Sequence, residues 1–133
     1  MIKQVTPLQV RSDRAGSGHY GAPRGSRKHR GIDYECVPGF PVLSPVFGFV
    51  SKHGQCYRDD AEWKYIEITD ENGLKHRLFY VQPSLPVSSS VSEGDWIGMA
   101  QDISDRYPGQ GMTPHVHYEI KQGDQYLNPD EVG

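Results

Sequence analysis

Cysteine is scarce: the 133 residues hold only Cys36 and Cys56. Two are too few for a disulfide scaffold, and they are not spaced as a C-x-x-C pair. One disulfide in an oxidising compartment and two buried thiols are both compatible with these positions. No run approaches 18 apolar residues, which excludes a membrane-spanning helix. The first 30 residues have no continuous apolar stretch of the kind a secretory signal needs. Internal repeats and low-complexity tracts are missing too. Uninterrupted helix-forming sequence is equally short, because 15 Gly and 10 Pro punctuate the chain. That density of breakers excludes a long-helix bundle or coiled coil.

What remains is a polar but foldable chain of one-domain length, 35% hydrophobic and 11% aromatic, with mean hydropathy -0.67. Its net charge of -3 is unevenly spread: residues 1–30 carry seven Lys/Arg against one Asp, and the remainder seven Lys/Arg against sixteen Asp/Glu. A basic arm reads either as a contact for an anionic polymer or as a solvated loop. Arg11, Arg14, Arg24, Arg27, Lys28 and Arg30 lack aromatic interleaving, and the body they adjoin is acidic. Nucleic acid is therefore not expected as a partner.

Period-2 patterning dominates after residue 30. Ile32, Tyr34 and Cys36 alternate with Asp33 and Glu35, which predicts a half-buried strand closed by Pro38-Gly39. Val42 to Lys52 reads as a second β-stretch bent at Pro45 and Gly48. Lys64–Thr69 and Leu74–Val81 flank Asp70-Glu71-Asn72-Gly73, a strong hairpin signal. Trp96–Met99 and His115–Lys121 complete the set. The loop 102–114 is long enough to predict a role in a site. The fold class expected is all-β: one domain of antiparallel sheets, a distorted sandwich with long loops. Residues 1–17 read as an irregular basic arm and 18–133 as the domain.

Two segments carry chemistry. In a strand, His115, His117 and Glu119 share one face and Val116, Tyr118 and Ile120 the other, with the two imidazoles roughly 6–7 Å apart at their bases. His29-Arg30-Gly31-Ile32-Asp33 is the second; fully extended, it would hold His29 and Asp33 about 13 Å apart, so sharing an ion requires a bend at the glycine. Each alone is a weak signal: the histidine pair reads first as exposed polar residues, and Asp33 as a solvent-facing strand residue. Together they assemble a mixed N/O donor set suited to Zn²⁺ with one position left for water, as at catalytic zinc sites.

These motifs, with Val91-Ser92-Glu93-Gly94-Asp95-Trp96-Ile97-Gly98 between them, resemble the lysostaphin/LytM-type zinc metalloendopeptidases from about Gly18 to Ile120. The order H-x-x-x-D, G-[DQ]-x-I-G, H-x-H-x-E is the family's. The resemblance implies His29, Asp33 and His117 as zinc ligands, His115 as the catalytic histidine, and a peptidoglycan peptide as substrate. The family's further histidine, in a Y-x-H strand, falls on Gln82 of Phe79-Tyr80-Val81-Gln82-Pro83. Glutamine donates a hydrogen bond to an oxyanion but carries no charge and shuttles no proton. Vertebrate leukocyte cell-derived chemotaxin, similar at Gly31–Cys36, Phe79–Pro83 and Tyr107-Pro108-Gly109, also lacks that histidine and is regarded as a signalling protein. Two functions follow from the resemblance: a zinc endopeptidase degrading the cell wall, or a zinc-containing module that binds cell-wall glycopeptide or a protein partner. A monomer acting at the bacterial wall or periplasm is expected, delivered as a bacteriophage virion or lysis component. Of the other histidines, His76 and His53 are expected to face solvent, and His19 lies in the glycine-rich arm. Tyr80 and Tyr118 read as packing residues, and Glu119 as either a brace for a ligand histidine or a water-facing group.

Overall fold

The computed structural model describes residues 5–6, 11–13, 16–21, 23–24, 27–28 and 30–131. Among them the strands are β1 Ser12–Asp13, β2 Gly16–Ser17, β3 Pro23–Arg24, β4 Arg27–Lys28, β5 Ile32–Glu35, β6 Pro41–Leu43 and β7 Gly48–Tyr57. They continue with β8 Asp60–Asp70, β9 Lys75–Phe79, β10 Val81–Pro83, β11 Ser90–Val91, β12 Trp96–Ala100, β13 His115–Gln122 and β14 Gln125–Leu127. Two 3₁₀ turns, Ile103–Arg106 and Pro129–Glu131, are the only helical pieces among these residues, and neither is long enough to cross a membrane. The all-β expectation holds.

A seven-stranded antiparallel sheet runs β11-β7-β8-β9-β13-β14, with β5 also paired to β13. A three-stranded sheet, β10-β12-β6, supplies the second layer. Inward residues of both sheets, among them Ile32, Tyr34, Ile66, Leu78, Val116, Tyr118, Val42, Val81 and Ile97, form one apolar cluster. Val5 belongs to the same cluster, and its carbonyl accepts from Leu43 N at 3.0 Å.

The hairpin forms where its signal lies. Gly73 takes φ 81°, and Asp70 Oδ1 accepts from the backbone of Asn72 and Leu74. Elsewhere the sequence pattern needs amending. Val42–Lys52 divides into β6 and β7, one strand in each sheet. Leu74–Val81 is not one strand either, because Tyr80 adopts φ 69° between β9 and β10. A left-handed φ on an aromatic residue is costly and needs support from its surroundings. Here Tyr80 N donates to Lys64 O and Tyr80 O accepts from Gln101 N, both at 2.8 Å. The corner passes the chain from one sheet to the other. β5 is covered on both faces rather than half-buried: Ile32, Asp33 and Tyr34 are all buried.

Candidate metal centre and active site

The strand β13 alternates as expected, but its polar face is not wet. His115 and Glu119 are buried, and the His117 side chain is only 13% exposed. Register decides the partners. β5 pairs with the first half of β13 and sets Asp33 directly opposite His117, while β9 sets Phe79 opposite it on the other side. Directly opposed residues share a face, so Asp33 Oδ1 meets His117 Nδ1 at 2.9 Å. His117 Nε2 lies 2.9 Å from Glu119 Oε1. Phe79 packs edge-on against the His117 ring, with centroids 5.1 Å apart.

Two glycines allow the close approach. A Cβ on Gly31 would meet Tyr118 O at 2.3 Å and the His117 ring at 2.8 Å. A Cβ on Gly18 would meet Asp33 at 2.8 Å, and Asp33 N donates to Gly18 O at 2.8 Å. The bend that the sequence requires at Gly31 is thus also a steric requirement of the histidine beside it.

Arg11 was legible only as one basic residue of the arm. It is buried, its Nε and Nη2 lie 3.3 and 3.2 Å from Asp33 Oδ2, and its backbone N donates to Asp33 O at 2.7 Å. On the other flank a row of cross-strand neighbours, Glu119, Arg77 and Glu67, crosses three strands. Arg77 Nε donates to Glu67 Oε2 at 2.8 Å, its Nη1 stands 4.0 Å from Glu119 Oε2, and Ser51 Oγ donates to Glu67 Oε1 at 2.8 Å. Burial alone would raise the Glu67 carboxyl, but Arg77 and Ser51 outweigh it and hold it below the usual range.

His115 is oriented by the loop before it. Its Nδ1 lies 2.9 Å from Thr113 O, so Nδ1–H donates and Nε2 keeps its lone pair. Nε2 faces Asp33 Oδ2 at 3.6 Å, and the Tyr80 ring stands edge-on to it at 5.5 Å. Burial, with Arg11 and His117 adding to it, lowers the His115 pKa against the pull of Asp33 and Thr113 O. A neutral imidazole with a free Nε2 is the state a general base requires.

Around His117 the proton count points to a cation. Both ring nitrogens face carboxylates, and a neutral imidazole donates from only one. With Nε2–H given to Glu119, Nδ1 and Asp33 Oδ1 present lone pairs to each other at 2.9 Å. Something positive belongs between them. A proton serves: burial opposes it, yet the bonds to Asp33 and Glu119 raise the His117 pKa to about 9. A metal ion serves equally, bound by one imidazole and one carboxylate with Glu119 bracing the histidine from behind. That donor chemistry fits zinc. Among the described residues no three His, Cys, Asp or Glu side chains form a complete cage; His29, the remaining expected donor, lies outside them.

Asp33, His115 and His117 therefore come together. Gln82 sits on β10 opposite Met99 and is exposed. Its strand pairs with β12 and not with β13. His53 is exposed, as expected, and contacts Leu85 O at 2.8 Å. His76 is not solvent-facing: it is fully buried on the core side, 2.7 Å from Tyr118 Oη and 2.8 Å from Asp70 Oδ2. It shares its face of β9 with buried Leu78, which packs in the core between the sheets, so alternation carries it inward. Cys36 and Cys56 are free thiols, and burial pushes each up to about 12.

The pattern that defines peptidase family M23 matches residues 27–129. The chain belongs to peptidase family M23. A curated relative, the DD-carboxypeptidase/endopeptidase Mpg of Neisseria meningitidis, is 27% identical over 106 residues, which are 80% of this chain and 23% of that protein. The chain thus spans about a fifth of the length of the first curated relatives it matches. Among solved structures, the catalytic domain of a point mutant of the prophage-encoded M23 protein EnpA from Enterococcus faecalis superposes with TM-score 0.70 at 24% identity. The match covers 96% of this chain and 92% of that one. The antimicrobial peptidase lysostaphin from Staphylococcus simulans superposes with TM-score 0.68 at 17% identity, covering 96% and 52%. The M23 fold is the lysostaphin-type fold expected from the motifs.

Proposed function

We propose that this M23 domain is a zinc-dependent endopeptidase that hydrolyses peptide bonds of bacterial peptidoglycan. The observation that carries the reading is the facing pair Asp33 Oδ1 and His117 Nδ1, braced by Glu119 and Arg11, with the His115 Nε2 lone pair beside it. His29, Asp33 and His117 would hold the metal. Zinc bound there would supply Lewis acidity to the scissile carbonyl and to the attacking water. His115 takes the proton of that water at Nε2 and returns it to the leaving amine, while Thr113 O holds the ring by Nδ1–H. Asp33 Oδ2 and Arg11 fix the charge around that transfer. Gln82 occupies the sequence position of the family's second histidine and offers a neutral amide donor to the oxyanion, a weaker stabiliser than an imidazolium.

The test is release of new amino groups from purified peptidoglycan, together with metal analysis after dialysis. About one zinc per chain and chelator-sensitive release are expected, with His115→Ala losing rate but keeping zinc. Gln82→His raises the rate if that position borders the reacting carbonyl. A wild type that binds sacculi, cleaves nothing and gains cleavage only as Gln82→His establishes the binding module instead.

A further inference from the structure

A second polar cluster borders His115 and has no part in the reading above. Tyr57 stacks on Tyr80, with centroids 6.4 Å apart, and its hydroxyl lies 3.4 Å from Tyr80 Oη and 2.8 Å from Tyr107 Oη. The Arg106 guanidinium covers the Tyr57 ring at 3.7 Å from its centroid and donates from Nη1 to Asp60 Oδ2 at 2.6 Å. Arg106 and Tyr107 lie on the same loop whose end presents His115. All five side chains are half-buried, so the cluster opens to solvent rather than into the core.

Some of its donors find no acceptor within the cluster. Three phenols bring three O–H donors, and the guanidinium five N–H donors. The two Tyr–Tyr contacts use two hydroxyl protons, which leaves one phenolic proton without an acceptor inside the cluster. Asp60 takes one edge of the guanidinium. Arg106 Nε is shielded from solvent and has no acceptor among the described residues. Burial holds the Tyr57 phenol well above its ordinary value, so it remains a donor and not a phenolate. Phenol hydroxyls and a guanidinium fork on an aromatic wall match a carboxylate.

We propose that Arg106, with Tyr57 and Tyr107, forms a carboxylate-binding subsite that receives a free carboxylate of the peptide presented to His115. The subsite rests on the peptidase reading only for the identity of its ligand as a peptide. Contacts of 5.5, 6.4 and 3.7 Å from His115 through Tyr80 and Tyr57 to Arg106 span no more than about five residues of extended peptide. The carboxylate therefore belongs near the scissile bond, either at the peptide's C-terminus or on a diamino-diacid side chain.

Titration calorimetry on the His115→Asn protein, which is not expected to cleave, tests this with three peptides. One is a lysine-containing stem pentapeptide with D-isoglutamine at its second position, so that its sole carboxylate is C-terminal; the second is its C-terminal amide. The third is that amide with a diamino-diacid replacing the lysine. One of the two acids is expected to bind about tenfold or more tightly than the plain amide, as one charge-assisted contact provides; which acid it is names the carboxylate. Arg106→Gln abolishes the preference and Tyr107→Phe reduces it, with affinity for the plain amide unchanged. If Arg106→Gln does not fold by circular dichroism, Tyr107→Phe decides. Equal affinities, no binding of any peptide, or a preference that survives these substitutions overturns the subsite. Turnover by the wild type is measured separately: no cleavage with the preference intact removes the peptidase reading and leaves the subsite standing.

Discussion

One sheet sets His76 and His117 on opposite faces, and each has an aspartate. On the core face, His76 lies between Asp70 and the Tyr118 hydroxyl. Nε2–H goes to the carboxylate and the phenol donates to Nδ1, so a neutral imidazole satisfies both of these contacts. On the other face, His117 lies between Asp33 and Glu119, and the same count leaves two lone pairs facing each other. One histidine closes its own hydrogen-bond network; the other calls for a cation. Burial does not separate structural from functional histidines here, because His115 on the metal face is buried as His76 is. The balance of donors and acceptors does.

The largest effect that would test this contrast is at Asp33. Asp33→Ala leaves Arg11 buried without its carboxylate, and breaking a buried pair in this way costs about 3–5 kcal/mol. Urea unfolding should show that loss, and metal analysis should show no zinc. If zinc stays bound, Asp33 is not a ligand. Glu119→Ala comes next. It frees His117 Nε2, so zinc affinity in a chelator competition should fall about 10–100-fold while the fold survives. An unchanged affinity would mean that Glu119 does not orient the histidine.

Tyr118→Phe moves to the core face. It removes the donor to His76 Nδ1, and a buried unpaired acceptor costs about 1–3 kcal/mol. Zinc stoichiometry and turnover should not change; loss of either would show that the two networks are coupled through β13. The smallest effect is on acid stability. Burial would raise the Asp70 carboxyl, but His76 and the backbone of Leu74 and Asn72 outweigh it and lower its pKa. A carboxylate lowered in the folded state stabilises above its unfolded pKa, about 3.9, and that contribution is lost as pH falls through the folded value. Glu67 acts in the same sense. Unfolding midpoints should drop below about pH 4, and Asp70→Asn should flatten that drop.

Legibility differs between the two faces. The alternation His115-Val116-His117-Tyr118-Glu119 specifies which side chains travel together, and the motif spacing locates the family. The sequence points His76 to solvent, wrongly, because alternation assigns residues to faces without saying which face is covered. Arg11 carries no local signal, since an isolated arginine in a glycine-rich arm reads as solvated charge. The corner at Tyr80 is invisible for a similar reason: nothing in Leu74–Val81 requires a left-handed φ.

By itself the sequence determined an all-β chain, the hairpin at Asn72-Gly73, and the shared face of His115, His117 and Glu119. These are local properties, set by side-chain period and turn stereochemistry within a few residues. Only the tertiary structure decided that Asp33 stands opposite His117, 84 residues away in the chain, that Arg11 folds onto that aspartate, and that Tyr57, Arg106 and Tyr107 gather beside His115. Strand register and loop packing bring such residues together, and a pairing across so long a separation leaves no periodic trace in either segment.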